Sequence, residues 1–156
     1  MPAIIFDVDG TTTDVRPYRH HVTGPTRNFH EFHMASTDAA PVPMTKVLWD
    51  AYGTAGWDRL IVTARSVDYR HITVWWHLLN GFDGDAGLWM RRAGDHRRDA
   101  AVKTDILTAI RAAGFDPRIA VDDNPSVLPV WKAHGLAVIV SPTWHDPDAV
   151  TAALAD

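Results

Sequence analysis

Three predicted strands of this chain end directly in polar side chains, and this pattern restricts the possible folds more than any other feature of the sequence. The strands are Ala3–Phe6, Leu60–Val62 and Arg118–Val121. Short apolar runs of this kind are typical of strands buried in a sheet. In parallel sheets, ligands bind at the carboxyl ends of the strands, so we expect one shared site there. The polar residues that follow the three strands are Asp7, Asp9, Thr63, Arg65, Asp122 and Asp123.

Helical patterns alternate with the strands along the chain. Helices are predicted over the segments Met44–Tyr52, Ile72–Leu79, Asp99–Ala113, Pro125–His134 and Asp148–Leu154. Two further short strands are predicted over Leu88–Met90 and Leu136–Val140. Alternation at this spacing predicts an α/β fold with a mostly parallel sheet.

The length and composition indicate one globular domain. The 156 residues are 46% apolar and 22% charged, so we predict a single domain over residues 1–156. The segment at about 12–43 differs from the rest, because it is rich in Pro, His and Thr and lacks clean periodicity. We interpret this segment as an insertion that carries at most one short helix.

Several classes of protein are excluded by what the sequence lacks. The absence of cysteine excludes disulfides, thiolate zinc sites and cysteine nucleophiles. No apolar run approaches the roughly 18 residues of a membrane span, and the N-terminus lacks the basic-then-apolar layout of a signal peptide. We therefore expect a cytoplasmic protein without membrane contacts.

The distribution of charge points to one local basic surface. The 15 basic and 19 acidic side chains give a formal net charge of −4, so bulk charge does not favour binding to polyanions. Converging cations can still bind a phosphate backbone, although the same residues are compatible with a solvated loop. The members of this cluster are Arg91, Arg92, His96, Arg97 and Arg98.

Asp7 and Asp9 leave the first strand two residues apart and can point into one cavity. Two carboxylates at close range stay ionised only with a nearby cation or with one shared proton. Gly10 permits backbone angles that leave amides free to approach an anion. The Asp122-Asp123 pair adds hard oxygen ligands, so the acids together predict a Mg²⁺ site. Taken singly, the first motif is also compatible with a turn and the second with a helix N-cap.

Asp7-Val8-Asp9-Gly10-Thr11, followed in order by Thr63, Lys103 and Asp122-Asp123, resembles the four motifs of the haloacid dehalogenase-like phosphohydrolase superfamily. The resemblance covers essentially the whole chain and implies a Rossmann-like three-layer α/β/α fold with a small cap insertion. It implies that Asp7 is a nucleophile that forms an aspartyl-phosphate, and that Asp9 protonates the leaving oxygen and then activates water. Thr63 would hydrogen-bond a phosphoryl oxygen, and Lys103 would balance negative charge. The implied Mg²⁺ ligands are Asp7, Asp122, Asp123 and the backbone carbonyl of Asp9.

A narrower resemblance concerns the substrate. The segment Met90–Lys103 is similar to the stretch before the motif lysine in phage-type polynucleotide kinase/phosphatases, where an Arg, a Gly-Asp, a basic pair and an Asp stand at the same distances. Arg16-Pro17-Tyr18 and Val62–Ser66 also match segments of that family. The resemblance implies removal of 3′-phosphates, and in some members 2′,3′-cyclic phosphates, from DNA or RNA ends. It implies that the phosphate or the nucleic-acid end is contacted by Arg16, Arg65 and Arg91, with Asp99 orienting an Arg or Lys.

Three features depart from that family. The 156 residues contain no Gly-x-x-x-x-Gly-Lys-Ser/Thr motif, so 5′-phosphorylation is not expected and a separate kinase or ligase partner could act beside this chain. Ala64 stands where Gly is common. Thr12 stands where an apolar residue is usual, which predicts a difference in how the first loop packs.

The predicted insertion carries four histidines near aromatic residues, namely His20, His21, His30 and His33. A zinc site there would be incomplete, because the long-spaced ligand partners are missing. We expect instead a small cap whose histidines and aromatic side chains line the entrance of the site or stack on a base.

The favoured function is a Mg²⁺-dependent phosphomonoesterase that acts on the 3′-phosphate end of a polynucleotide. One alternative keeps the chemistry and changes the substrate to a nucleotide or another small molecule. The other alternative is a non-catalytic module that binds nucleic-acid ends. Preference for oligonucleotides over mononucleotides separates the first two functions, and phosphate release separates both from the third.

Overall fold

A computed structural model describes residues 1–155, and a five-stranded sheet lies at its centre. The strands are β1 (Pro2–Phe6), β2 (Asp58–Ser66), β3 (Gly87–Arg91), β4 (Asp116–Asp122) and β5 (Ala137–Val140). Their order across the sheet is β3-β2-β1-β4-β5, and every neighbouring pair runs parallel. The predicted α/β fold with a mostly parallel sheet is therefore confirmed.

Helices connect these strands. The α-helices are α1 (Phe29–Ala35), α2 (Pro43–Thr54), α3 (Arg70–Leu79), α4 (Asp99–Ala112), α5 (Leu128–Ala133) and α6 (Pro147–Leu154). Short 3-10 helices form over Arg16–His21, Ser36–Asp38 and Val67–Tyr69. Among residues 1–155, no helix is both long and apolar enough to cross a membrane.

The core has two halves, one on each face of the sheet. Successive side chains of a strand point to opposite faces, so Ala3 and Ile5 of β1 pack with α4 and α5. Ile4 and Phe6 pack with α2 and α3 on the other face. Each aliphatic side chain buried in this way contributes about 1.5–3 kcal/mol to folding. The result is the expected three-layer α/β/α arrangement, in which the strand ends are held rigidly.

Two element boundaries differ from the sequence prediction. The residues Thr63–Ser66, expected as a loop, continue β2, and the pairing with β3 shifts register between Thr63 and Ser66. Such irregularities re-aim side chains at the end of a strand. The helix expected from Pro125 begins at Leu128, because the Asn124 carbonyl accepts hydrogen bonds in a preceding turn, including one from Val127.

The segment at about 12–43 leaves the sheet and returns to it at nearly the same place. The N–H of Asp14 donates to the Ala40 carbonyl, and the N–H of Val42 donates to the Thr12 carbonyl, so both ends of the segment are tied together. Between them lie two of the 3-10 helices and α1. The Asn28 side chain caps α1 by accepting the Glu31 N–H at 3.0 Å. This segment therefore forms a loop over the carboxyl end of β1, with its two ends joined by hydrogen bonds.

Candidate active site

The carboxyl ends of three strands, together with α4, bring four of the predicted site residues together. Because β1 lies between β2 and β4, Asp7 at the end of β1 has Thr63 of β2 on one side and Asp122 of β4 on the other. Lys103 reaches the same point from α4. All four side chains are buried. We call Asp7, Lys103, Asp122 and the adjacent Asp123 the acidic floor.

Lys103 holds the acidic floor together. Its Nζ lies 2.7 Å from Oδ1 of Asp7 and 2.7 Å from Oδ2 of Asp122. Burial alone would lower the pKa of Lys103, but the two carboxylates outweigh burial and raise it, so the amine stays charged. The Thr11 hydroxyl donates to Oδ2 of Asp7 at 3.2 Å, and the Trp131 indole N–H donates to Asp122 at 3.0 Å. The Asp7 carboxylate is therefore fixed from both sides.

The acidic floor carries more negative charge than Lys103 neutralises. Burial raises the pKa of Asp7 well above its ordinary value, and Asp122 and Asp123 add to this effect against the opposing ammonium of Lys103. Burial and the neighbouring Asp122 raise the pKa of Asp123 to about 7. Carboxylate oxygens of Asp7, Asp122 and Asp123 all lie within 4.8 Å of one another. A set of hard oxygen donors with excess negative charge fits Mg²⁺.

Gly10 allows the loop after β1 to pass against Asp123. Its φ is +86°, and a Cβ at this position would overlap the Asp123 carboxylate. Its carbonyl accepts hydrogen bonds from the hydroxyls of Ser141 and Thr143. The glycine expected from the sequence to free the backbone therefore has a second, steric reason to be a glycine.

Asp9 points away from the acidic floor and pairs with Arg65. Two nitrogens of the guanidinium contact its carboxylate at 2.9 and 2.6 Å, and Arg65 is buried. Burial acts to raise the pKa of Asp9, but the Arg65 guanidinium outweighs burial and holds this pKa below its ordinary value. Arg65 is itself positioned by the hydroxyls of Thr73 and Ser36. Within residues 1–155, the Asp9 carboxylate is not part of the group of acids that could share a metal ion.

The acidic floor opens into a cleft of about 740 Å³. One wall comes from the insertion, a second from the end of β2 with its 3-10 helix, and a third from residues 91–98, which we call the basic loop. Thr63 lies where the acidic floor meets the second wall. Its hydroxyl accepts the Arg65 backbone N–H at 3.1 Å, which leaves the hydroxyl proton for another acceptor.

The predicted phosphate ligand Arg16 does not take part in this arrangement. Its guanidinium is exposed and pairs with Asp14 at 2.6 Å, and within the described residues it is not among those lining the cleft. Arg19, one helical turn further along, lies in the cleft instead. Its Nη2 donates to Asp123 at 3.0 Å, and its guanidinium covers the Trp144 ring at 4.8 Å. This segment has no periodic pattern of apolar residues that could distinguish the two arginines.

Arg91 lines the cleft, and most of its donors bind the chain itself. It bonds the Ala64 carbonyl at 2.7 Å and the carbonyls of Asp95 and Arg97 at 3.0 and 2.7 Å. Its Nη2 also pairs with Asp99, the residue expected to orient an Arg or Lys, at 2.7 Å. Arg91 therefore shapes the basic loop, and this leaves it little capacity for direct contact with substrate.

Thr12, the departure noted in the first loop, has a specific partner. Its hydroxyl lies 3.0 Å from Nε2 of His77 on α3, and Nδ1 of His77 lies 2.7 Å from the Thr73 carbonyl. Burial lowers the pKa of His77 to about 4, so this ring is neutral near pH 7. Thr12 therefore forms a buried polar pair with His77 beneath the first loop.

The sequence matches the family described as polynucleotide kinase PNKP phosphatase domain over residues 1–141.

Several solved structures share the fold. A chain in the Pnkp1/Rnl/Hen1 RNA repair complex is 17% identical with a TM-score of 0.74, and the match covers 89% of this chain and 42% of that one. Another structure of a Pnkp1/Rnl/Hen1 complex gives 18% identity, a TM-score of 0.73, and coverage of 89% and 45%. The class C acid phosphatase from Bacillus anthracis with tungstate bound gives 13% identity, a TM-score of 0.65, and coverage of 99% and 72%. This chain thus spans less than half of the Pnkp1-complex chains it matches.

Proposed function

This chain belongs to the polynucleotide kinase PNKP phosphatase-domain family, and from that premise we propose that it removes phosphate from the 3′ ends of polynucleotides with the help of Mg²⁺. The chain is a phosphatase, and the resemblance to haloacid dehalogenase-like phosphohydrolases drawn from the sequence is confirmed. The observation that supports the finer proposal is that a buried, fixed Asp7 and, two residues later, Asp9 both line one open cleft.

Asp7 is the proposed nucleophile. One of its carboxylate oxygens forms a bond to phosphorus while the bond between phosphorus and the 3′ oxygen breaks. Water then attacks phosphorus, the acyl phosphate bond breaks, and inorganic phosphate leaves with Asp7 restored. Lys103 and Thr11 hold the carboxylate in place for both steps, at 2.7 and 3.2 Å.

Asp9 is the proposed proton carrier. It gives a proton to the departing 3′ oxygen and takes one from the attacking water in the second step. In the free protein, Arg65 keeps Asp9 ionised. When the phosphate of the substrate draws the Arg65 guanidinium toward itself, the main influence that lowers the pKa of Asp9 weakens, and burial then favours the protonated acid that the first step requires.

The acidic floor is the proposed Mg²⁺ site. The carboxylates of Asp7, Asp122 and Asp123 and the backbone carbonyl of Asp9 would hold the ion. A bound Mg²⁺ neutralises phosphate charge, so that an anionic carboxylate can approach it. The chain's own side chains assist, since the Lys103 ammonium is fixed beside Asp7 and the neutral Thr63 hydroxyl has a proton to donate to a phosphoryl oxygen.

The proposed substrate is the end of a DNA or RNA strand. The cleft is open and has the basic loop as one wall, which suits a polyanion that continues beyond the reacting phosphate. One of the similar chains comes from the Pnkp1/Rnl/Hen1 RNA repair complex. We propose that this chain prepares ends in the same class of process, with kinase or ligase steps carried out by a partner.

The test is phosphate release with Mg²⁺ from three substrates, namely a 3′-phosphorylated oligonucleotide, its 5′-phosphorylated isomer and a 3′-mononucleotide. Asp7→Asn serves as the blank. We expect fast release from the 3′-phosphorylated oligonucleotide and little from the other two. Equal release from the mononucleotide would replace the proposal with a small-molecule phosphatase, and no release from any substrate would refute it.

A further inference from the structure

Where the first two walls of the cleft meet, the lining is aromatic and uncharged. Phe29 and His33 of α1 and Tyr69 of the 3-10 helix after β2 all line it. The ring centroids of His33 and Tyr69 lie 4.5 Å apart, and those of Phe29 and His33 lie 6.4 Å apart. We propose that this aromatic wall, formed by Phe29, His33 and Tyr69, binds the base of the 3′-terminal nucleotide. The inference rests on the proposed function and adds the element that recognises the leaving nucleoside.

The position of the aromatic wall supports this assignment. The Ser36 hydroxyl accepts from Arg65 at 3.0 Å and donates to the His33 carbonyl at 2.8 Å, so the wall adjoins the Asp9–Arg65 pair. In the proposed reaction Asp9 gives its proton to the departing 3′ oxygen, which places the leaving nucleoside on the Asp9 side of the phosphate. The base attached to that nucleoside therefore reaches the aromatic wall, while the phosphate faces the acidic floor.

The chemistry of the aromatic wall fits a base and not a phosphate. Burial lowers the pKa of His33 to about 4, so its ring is neutral near pH 7 and attracts no anion. Phe29 is 55% exposed although it faces the cleft, and an exposed ring in a cleft offers a flat apolar surface. Every base has a π face that packs on such a surface without regard to sequence.

Two hydrogen bonds hold the segments that carry the aromatic wall in place. The Tyr69 hydroxyl and His30 Nδ1 are 3.0 Å apart, which ties the 3-10 helix to α1. Asn28 caps the first turn of α1, where Phe29 stands. Binding to rings that are already fixed avoids the entropy cost of ordering them.

Trp144 is a rival platform in the same cleft, and the structure argues against it. The Arg19 guanidinium lies 4.8 Å from the centroid of its ring and pairs with Asp123 of the acidic floor. One face of Trp144 is thus occupied, and it stands on the Asp123 side of the site, away from the proposed leaving group.

The proposal predicts a preference among polynucleotide ends. A base can reach the aromatic wall only after it leaves the stack of its neighbours, and unstacking is easier in a single strand than at a paired end. We expect 3′-phosphorylated single strands and overhangs to react faster than blunt duplex ends.

The experiment compares two ends of one oligonucleotide, a 3′-phosphorylated adenosine and a 3′-phosphorylated abasic sugar. Phe29→Ala should raise KM for the adenosine end about tenfold with kcat nearly unchanged, and should leave the abasic end within about twofold. Phe29→Trp should restore the wild-type KM. Trp75→Ala is the matched control, because Trp75 is 52% exposed on α3 and lies outside the residues that line the cleft.

A binding measurement separates this inference from the proposed function. In the Asp7→Asn background, fluorescence quenching of a 2-aminopurine at the 3′-phosphorylated end should weaken when Phe29 is also replaced by Ala. The proposal would be overturned if Phe29→Ala weakened binding of the adenosine and abasic ends equally, or of neither end. It would also be overturned if Trp144→Ala, and not Phe29→Ala, specifically weakened binding of the adenosine end. Absence of phosphate release by the wild-type protein would refute the proposed function and leave the quenching result to decide the inference.

Discussion

The acidic floor and the basic loop face each other across one cleft, yet their charges have opposite surroundings. In the acidic floor, the side chains of Lys103 and Asp7 are 3% and 8% exposed and bond each other at 2.7 Å. In the basic loop, the Arg97 side chain is 54% exposed while it pairs with Asp95 and Asp105. Both regions contain ion pairs of nearly equal length. The difference is the amount of water around them.

This difference in exposure predicts different roles for the two regions, the reaction for the acidic floor and attraction of a polyanion for the basic loop. A buried pair interacts strongly because little water screens it, and losing one partner leaves an uncompensated charge. An exposed pair contributes little to stability and is weakened further by salt. Substitutions in the acidic floor should therefore change turnover and folding, whereas substitutions of the exposed side chains of the basic loop should change mainly the affinity for a polyanion.

Asp7→Asn should produce the largest effect. The amide is nearly isosteric but cannot serve as the nucleophile, so we expect phosphate release to fall by at least about 10³-fold. Asp14→Asn makes the same chemical change at a carboxylate paired with the exposed Arg16, and it should leave turnover within about twofold. Phosphate release measured under saturating substrate checks both. Retention of most activity by Asp7→Asn would contradict the assignment.

Lys103→Met should lower the free energy of unfolding more than a substitution of any exposed side chain in the basic loop. It leaves Asp7 and Asp122 buried without their shared cation, and we expect a loss of about 3–5 kcal/mol in the free energy of unfolding. Lys46→Met removes the exposed pair with Asp50 and should cost less than about 1 kcal/mol. Urea denaturation of both variants tests this contrast. Similar losses in the free energy of unfolding for the two variants would contradict it.

Arg65→Met should change how stability depends on pH. In the wild-type protein the lowered pKa of Asp9 adds stability that is present above its ordinary pKa and is lost as the pH falls through the folded value. Without the guanidinium, burial raises this pKa, so the variant loses stability as the pH rises from about 4. We expect the gap in unfolding free energy between the two proteins to widen by about 1–3 kcal/mol from about pH 4 to about pH 7.

Arg16→Met is the control for this pH dependence, because the Arg16 side chain is 60% exposed and water screens its pair with Asp14. Its stability should stay within about 0.5 kcal/mol of the wild-type protein across the same range. A gap for Arg65→Met that does not vary with pH would show that Arg65 does not control the ionisation of Asp9.

Arg92→Ala should produce the smallest effect, since Arg92 is exposed in the basic loop. We expect KM for a 3′-phosphorylated oligonucleotide to rise a few-fold at about 50 mM salt and the effect to shrink at about 200 mM. KM for a mononucleotide should not change. An equal effect on both substrates, independent of salt, would place Arg92 among the residues that contact the reacting phosphate.

The acidic floor was predictable because local sequence determines it. Asp7 and Asp122 stand at the carboxyl ends of short apolar strands, and parallel pairing brings those ends together wherever the rest of the chain goes. The same logic predicted the α/β layers, since β1 alternates its side chains between two faces. Lys103 was predictable from the spacing within a family motif.

The walls of the cleft were less predictable, because contacts distant in sequence determine them. The pairing of Arg65 with Asp9 crosses 56 positions, and that of Arg19 with Asp123 crosses 104. The segment that carries both Arg16 and Arg19 has no apolar period, so nothing local decides which arginine turns inward. Arg91 fits the motif, but only the structure shows that its N–H groups donate to backbone carbonyls of β2 and of the basic loop.

The most direct test of the account is to trap the phosphorylated protein. A 3′-phosphorylated oligonucleotide is mixed with the protein and Mg²⁺, quenched in acid within a turnover, and digested for mass spectrometry. The account predicts phosphate on the peptide that contains Asp7, removable by hydroxylamine as an acyl phosphate is, and none in Asp7→Asn. Phosphate on any other residue, or release of phosphate by a competent protein without a labelled Asp7 peptide, would contradict it.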